Sequence, residues 1–177
     1  MPKKIVQREN TVLRKEVKNI PINEIKSPKI QKIIKEMSEA LKTQGDGVAI
    51  AAPQIGYSFS IFLVAGKIFH KDFARFNENK IIPEEEIPKD LVFINPVISK
   101  LSREKEWVPE GCLSVRWLYG KTHRSKKATV TAYDENGKKF TRGASGLLAQ
   151  IFQHETDHLK GVLFIDHAKE IKEEKFN

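Results

Sequence analysis

The first clear pattern of apolar residues along the chain predicts an amphipathic helix near the N-terminus. Ser27 can cap a helix, and Pro28 suits its first position because proline has no N–H to satisfy there. Apolar residues then recur three or four positions apart, and Gly45 and Gly47 follow the pattern. We therefore expect a packing helix from Pro28 to about Thr43.

A second helical pattern lies near the C-terminal end. Ser145 is a candidate cap, and we expect the helix to run from about Gly146 to Lys160 and to stop at Gly161. Two neighbouring stripes of this helix are rich in apolar side chains, which predicts that most of its circumference is buried. The stripes consist of Leu147, Ile151, His154 and His158, and of Leu148, Phe152, Glu155 and Leu159.

Short runs between and after these helices predict β-strands. Ile61–Val64 and Leu91–Ile94 are continuous apolar runs, Ala128–Tyr133 alternates, and Asn136-Gly137 is a strong hairpin signal. Val162–Ile165 resembles a short edge segment. We expect an α+β fold in which antiparallel sheets pack around the second helix, with the first helix as an N-terminal amphipathic element.

Length and patterning indicate one domain. The chain has 177 residues, which suits a domain over residues 1–166 followed by a charged tail at residues 167–177. Residues 66–90 are polar and predict a long surface excursion. No apolar run reaches transmembrane length and no signal peptide is recognisable, so we expect a cytoplasmic protein that does not bind membranes.

Composition narrows the choice of partners. The net charge is +8, from 31 Lys and Arg against 23 Asp and Glu, which indicates either a solvated basic surface or attraction to RNA-rich assemblies. No basic stripe with interleaved aromatic residues is present, so specific DNA binding is not expected. The single cysteine, Cys112, excludes an internal disulfide and a four-cysteine zinc site.

The second helix carries a candidate metal motif. His154, Glu155 and His158 form the pattern HExxH, and a helix turns about 100° per residue, so both imidazoles lie on one face. Glu155 lies at the margin of that face and suits a general base acting on metal-bound water. Two histidines at this spacing are also compatible with a pair of core histidines.

Two further segments carry candidate chemistry. Cys112 follows Glu110-Gly111, and its thiolate would complete a set of three protein ligands that suits Fe(II), Zn(II), Ni(II) or Co(II). The segment Gly47–Gly56 consists mostly of small residues, with Gln54 as its one long polar side chain. It is compatible with a core turn or with a loop that lines a ligand site.

Three blocks together carry a resemblance to a known family. They are GVAIAAPQ at residues 47–54, EGCLS at residues 110–114 and QHETDHL at residues 153–159. In this order they resemble the peptide deformylases, which remove the formyl group from the N-terminal formyl-methionine of nascent proteins. The resemblance extends from about Val12 to Asp166.

The resemblance implies a role for each matching position. Cys112, His154 and His158 match the metal ligands, with Fe(II) as the expected ion, and Glu155 matches the catalytic acid and base. Gln54 and the backbone N–H of Leu113 match the groups that stabilise the oxyanion. The implied substrate-binding positions are Gly47, Val48, Ala49, Val108, Gly111, Leu147 and Ile151. The implied partners are formyl-methionyl nascent peptides. The net positive charge fits a protein that works near the ribosome, and we expect a monomer.

Two departures and two alternatives accompany the resemblance. Ala49 replaces a common glycine, and Tyr119 stands where a substrate-facing arginine is common, which affects peptide contacts beyond methionine. An HExxH zinc peptidase would usually add a downstream ligand in place of Cys112, and an inactive binding protein would bind metal without releasing formate. We also expect Arg124 to pair with Asp157, and Glu110 to orient a ligand histidine.

Overall fold

The computed structural model describes residues 1–73 and 82–175. It contains helices α1 (Pro28–Lys42) and α2 (Gly146–Leu159). Its strands are β1 (Ala49–Ala51), β2 (Ile61–Val64), β3 (Leu91–Leu101), β4 (Lys105–Gly111), β5 (Leu118–Ser125), β6 (Lys127–Tyr133), β7 (Lys139–Ser145) and β8 (Lys169–Glu173). The predicted α+β class with antiparallel sheets is confirmed.

The strands form two antiparallel sheets. The five-stranded sheet has the order β1-β2-β3-β6-β7, and the three-stranded sheet has the order β4-β5-β8. In the larger sheet, β6 and β7 are joined by the predicted turn, where Gly137 adopts a φ of +80° that favours glycine. In the smaller sheet, Gly111 at the end of β4 pairs with Tyr119 on β5.

The two helices cover opposite faces of the five-stranded sheet. Because side chains alternate along a strand, Ile61 and Leu63 of β2 join the core cluster of α1, whereas Phe62 and Val64 join that of α2. The α1 side is completed by Ile30, Ile33, Met37, Ala40 and Leu41. The α2 side is completed by Phe93, Val130, Ala149, Ile151 and Phe152. Both helices are therefore fixed by apolar burial.

The helix ends follow the sequence closely, with one difference. Ser27 caps α1 by accepting a hydrogen bond from the N–H of Ile30 at 3.4 Å. Ser145 occupies the corresponding position before α2, but its side chain makes no capping hydrogen bond. The chain leaves α2 through Gly161, which has a φ of +74°. The start of α2 is exposed and has no side-chain cap, and the buried part of the helix begins at Ala149.

Two stretches differ from the expected secondary structure. The predicted extended segment at Val162–Ile165 is wrong at its end, because Phe164–Asp166 forms a turn of 3-10 helix. Residues Lys169–Glu173 of the charged tail form β8, which pairs with β5 and was not predicted. Part of the expected surface excursion, residues 74–81, lies outside the described residues. None of the described helices is long and apolar enough to cross a lipid bilayer.

Candidate metal centre and active site

Three potential metal ligands converge where α2 faces the end of β4. Cys112, directly after β4, lies beside His154 and His158 of α2, and one ligand atom from each falls within 4.8 Å of the other two. The Cys112 Sγ lies 3.3 Å from Nε2 of His158. One sulfur and two imidazole nitrogens fit a divalent transition metal, and three protein ligands are typical of catalytic zinc sites.

A buried carboxylate orients one of the histidines. The Glu110 side chain is 3% exposed, and its Oε2 lies 2.9 Å from Nδ1 of His154. Because Nδ1 is engaged in this way, Nε2 of His154 remains for the centre. Thr122 and Gln150 donate hydrogen bonds to the other carboxylate oxygen, at 3.0 and 3.2 Å. Glu110 therefore fixes both the ring orientation and the tautomer that suits a ligand.

Arg124 joins this carboxylate to a second one on α2. Its Nη2 lies 2.7 Å from Oε2 of Glu110, and its Nη1 lies 2.7 Å from Oδ2 of Asp157. Burial opposes ionisation of Glu110, but hydrogen bonds with His154 and Arg124 hold the pKa of Glu110 well below its usual range. In this network Glu110 is therefore ionised and paired with the Arg124 cation. The expected Arg124–Asp157 ion pair is present.

The two histidines respond differently to their surroundings. Burial alone would lower the pKa of His154, but hydrogen bonds with Cys112 and Glu110 raise it well above the usual value. Burial and the nearby His154 lower the pKa of His158 well below that value. His158 therefore stays neutral, as a metal ligand must.

Two N–H groups donate hydrogen bonds to the cysteine sulfur. The backbone N–H of Ser114 points to Cys112 Sγ at 3.4 Å, and the side-chain amide of Gln54 does so at 3.7 Å. Such donors complement the negative charge that a metal-bound thiolate carries. Gln54 is held in this orientation because its Oε1 accepts a hydrogen bond from the N–H of Ala51 at 2.8 Å.

Glu155 lies beside the ligands on α2 and is almost completely buried. The residue is 3% exposed, and its buried Oε2 has no hydrogen-bond partner within the described residues. Burial raises the pKa of Glu155 to about 7. A carboxyl group with this pKa can both accept and return a proton near neutral pH.

The ligands open onto a cleft of about 340 Å³. It is lined by predicted site residues, namely Gly47, Val48, Ala49, Gln54, Gly111, Cys112, Leu113, Leu147, Ile151, His154 and Glu155. Val108 is not among the lining residues; the next residue on β4, Pro109, lines the cleft instead. His158 lies behind the cleft surface, where it is 1% exposed.

The cleft also contains residues that no sequence motif predicted. Arg116 binds the Asp46 carboxylate through both of its Nη atoms, at 2.6 and 2.9 Å, and thereby joins two sides of the rim. Hydrogen bonding to Arg116 lowers the pKa of Asp46. The side chain of Gln150 donates to the carbonyl of Pro109 at 2.8 Å. These contacts join distant segments, and no local pattern signals them.

Comparisons with known proteins agree with this site. The family model described as polypeptide deformylase matches residues 2–174. A peptide deformylase of Borreliella burgdorferi is 40% identical over 161 residues, which cover 91% of this chain and 84% of that protein.

Solved structures of deformylases share the fold. A peptide deformylase from Synechococcus elongatus in complex with actinonin matches with a TM-score of 0.76 and 30% identity, over 95% of this chain and 79% of that one. A Met-Ala-Ser-bound class I type b peptide deformylase from Acinetobacter baumannii matches with a TM-score of 0.78 and 26% identity, over 94% and 98%. Together with the family model and the curated relative, they show that the chain belongs to the polypeptide deformylase family and is a hydrolase that removes the N-formyl group from nascent polypeptides.

Proposed function

We propose that Cys112, His154 and His158 hold one divalent metal ion, with Fe(II) as the native metal. The observation that carries this proposal is the convergence of one sulfur and two imidazoles within 4.8 Å. Zn(II), Ni(II) and Co(II) also suit such donors, whereas Mg(II) and Ca(II) prefer oxygen ligands. When bound, the ion supplies Lewis acidity that makes water nucleophilic near neutral pH. In this proposal, α2 is the HExxH-bearing helix at the centre of the fold, between the two sheets.

Glu155 acts as the acid and base of the reaction. It accepts a proton from the attacking water and returns it to the amine that leaves as the new N-terminus. Its burial, its free Oε2 and its pKa of about 7 support this role. A carboxylate with a much lower pKa would be a weaker base and would accept the water proton less readily.

Gln54 and Leu113 stabilise the charge that develops on the formyl oxygen. The Gln54 amide already points its nitrogen toward Cys112, because Ala51 holds its oxygen. The backbone N–H of Leu113 is the second donor, and it follows Cys112 directly in the chain. Donors fixed before the reaction need little reorganisation, which is why such groups contribute strongly to catalysis.

The cleft next to these groups holds the methionine side chain. Val48, Leu147 and Ile151 provide apolar surface, and the backbone of Gly47, Ala49 and Gly111 contacts the peptide. The Acinetobacter baumannii relative was solved with Met-Ala-Ser bound, which supports a peptide that begins with methionine.

The remaining functional proposals concern the setting of the enzyme. Residues 1–166 form the catalytic domain, and residues 167–177 are an appendage that contributes β8. The protein works in the cytoplasm as a monomer, close to ribosomes, where nascent peptides become available. Its net charge of +8 supports attraction to RNA-rich assemblies.

Replacing Glu155 tests the proposed roles most directly. We expect Glu155→Ala to keep its metal and to lose activity by about a thousandfold, since acid–base catalysis typically contributes 10²–10⁴-fold. The measurement is formate release from a formyl-Met peptide after anaerobic purification, together with metal analysis.

The exposed Glu39 of α1 offers a matched control. Glu39→Ala also removes one carboxylate, and it should retain both metal and activity because Glu39 lies outside the cleft. Retained activity in Glu155→Ala would refute the assigned role. Cleavage of internal peptide bonds by the wild-type protein would instead indicate a peptidase.

A further inference from the structure

The N-terminal segment contacts both of the proposed oxyanion-stabilising residues. The N–H of Val6 donates to the backbone carbonyl of Gln54 at 2.9 Å. The next residue, Gln7, lies with its side chain against the turn that follows Cys112. Two consecutive residues of this segment therefore join two motifs that are distant from each other in sequence.

The side chain of Gln7 makes two complementary hydrogen bonds to this turn. Its Nε2 donates to the carbonyl of Leu113 at 3.0 Å, and its Oε1 accepts from the N–H of Arg116 at 3.2 Å. A carboxamide can donate and accept at the same time, whereas a carboxylate can only accept and a thioether does neither well. The chemistry of Gln7 is therefore matched to both ends of the turn.

The carbonyl that Gln7 holds belongs to a peptide unit that also contacts the metal ligand. The carbonyl of Leu113 and the N–H of Ser114 lie in one planar peptide group, and that N–H points to Cys112 Sγ at 3.4 Å. A rotation of this plane would redirect the hydrogen bond to sulfur. It would also change the backbone of Leu113, whose own N–H lies on the adjacent peptide group.

We propose that Gln7 is a positioning residue that holds the Cys112–Arg116 turn in the orientation needed for catalysis. This inference rests on the proposed roles of Leu113 and Gln54. Gln7 does not line the cleft, so it acts through the turn and not through contact with substrate. With the Val6 hydrogen bond to Gln54, the N-terminal segment fixes both oxyanion-stabilising donors relative to each other.

Gln31 provides a control with nearly the same bonding and a different location. Its Nε2 donates to the carbonyls of Ile25 and Glu135, at 2.8 and 3.0 Å, and it is also part-buried. Neither contact involves the cleft. Substitutions at Gln31 therefore measure what two side-chain hydrogen bonds to backbone carbonyls contribute to stability alone.

The experiment compares Gln7→Met and Gln7→Glu with Gln31→Met. Methionine keeps the length of the side chain and removes both hydrogen bonds, whereas glutamate keeps only the acceptor. We expect kcat for a formyl-Met peptide to fall about tenfold or more in both Gln7 variants, less than the 10²–10³-fold typical for removing an oxyanion donor outright. KM should change by less than about twofold, because substrate contacts remain. Gln31→Met should keep the wild-type kcat.

A spectroscopic readout separates positioning from general loss of stability. We expect the sulfur-to-metal charge-transfer band of the Co(II)-loaded protein to shift in the Gln7 variants and to stay unchanged in Gln31→Met. Thermal unfolding of all three variants shows whether their stabilities match. If Gln7→Met does not fold, Gln7→Glu, which keeps the bond to Arg116, provides the same comparison.

Two outcomes would overturn the proposal. One is a kcat in the folded Gln7 variants no lower than in Gln31→Met; the other is an unchanged charge-transfer band. Gln54→Ala, measured in the same assay, tests the proposed oxyanion role independently. If Gln54→Ala is impaired and the Gln7 variants are not, the positioning role fails and the proposed function stands.

Discussion

The two sides of α2 are both buried, but they are built from opposite chemistry. On the side that faces the five-stranded sheet, Phe152 packs against Phe93 and Phe62, with ring centroids 5.2 and 6.2 Å apart. Phe62 and Phe93 in turn stack at 4.5 Å. On this side, dispersion and apolar burial stabilise the helix, and neither depends on charge.

On the side that faces the three-stranded sheet, ion pairs between side chains hold α2 in place. Asp157 pairs with Arg124, which pairs with Glu110, and Glu110 orients His154. Each of these groups would be unfavourable in the interior without its partner. Apolar packing therefore holds α2 against the five-stranded sheet, whereas ion pairs hold it against the three-stranded sheet. Substitutions on the two sides should therefore fail in different ways.

The largest effect should come from removing the shared cation. Arg124→Met leaves the buried Glu110 and the half-buried Asp157 without the cation that they share, which we expect to cost about 3–5 kcal/mol of unfolding free energy. Metal affinity should also fall about 10- to 100-fold, because Glu110 no longer holds His154 as firmly. Urea unfolding and competition with a chelator measure the two quantities.

An exposed cation provides the control for this prediction. Lys126→Met breaks a surface ion pair, in which Lys126 lies 2.6 Å from Glu104. It should change the unfolding free energy and the metal affinity little. Unchanged metal affinity in Arg124→Met would mean that the ion pairs of α2 contribute to stability alone. The two sides of α2 would then not differ in their effect on metal binding.

The apolar side should show the opposite response. Phe152→Leu removes ring contacts and should lower the free energy of unfolding by about 2 kcal/mol. We expect metal content and kcat to remain close to wild type, because no cleft-lining residue is changed. The assay is run at 15–20 °C, well below the melting range of mesophile domains at about 45–65 °C, so that the variant stays folded. A large loss of kcat in a folded, metal-loaded Phe152→Leu protein would show that the two sides are coupled.

The smallest effect concerns a surface ion pair that lies outside both of the compared sides of α2. Arg14 binds both oxygens of Asp166, at 2.6 and 3.0 Å, and this hydrogen bonding lowers the pKa of Asp166. The side chains are 43% and 37% exposed, so solvent screening limits the contribution to about 1 kcal/mol or less.

The sign of the pH dependence follows from the lowered pKa. The stabilisation is fully present above the unfolded pKa of about 4 and is lost as pH falls through the lower folded value. A double-mutant cycle with Arg14→Met and Asp166→Asn should therefore give a small coupling energy at pH 7 that decreases below about pH 4. A coupling energy that increased in acid would contradict this assignment.

Local signals in the sequence were sufficient for the elements that depend on a few neighbouring residues. The cap at Ser27 and the spacing of apolar residues predicted α1, and Gly137 marked the hairpin between β6 and β7. The residues of the HExxH pattern and Cys112 were predicted to meet, and their ligand atoms do lie close together. These predictions succeeded because each rested on a short, chemically distinctive pattern.

Contacts between distant segments were not predictable in this way. Asp166 accepts a hydrogen bond from the N–H of Leu163 and binds Arg14, which stabilises a helical turn where an extended segment was expected. The roles of Gln7 and of the Arg116–Asp46 bridge depend on how the folded chain brings separate segments together. A single sequence, considered by itself, holds no local signal for such pairings.

The division of the ligands between two structural units has a thermodynamic consequence. Cys112 directly follows β4 of the three-stranded sheet, whereas His154 and His158 belong to a helix packed on the five-stranded sheet. An ion shared by these side chains would bind the folded chain in preference to the unfolded one, and mass action would then raise the melting temperature as free metal increases. The heat resistance of this protein would therefore depend on the metal supply around it as well as on its sequence.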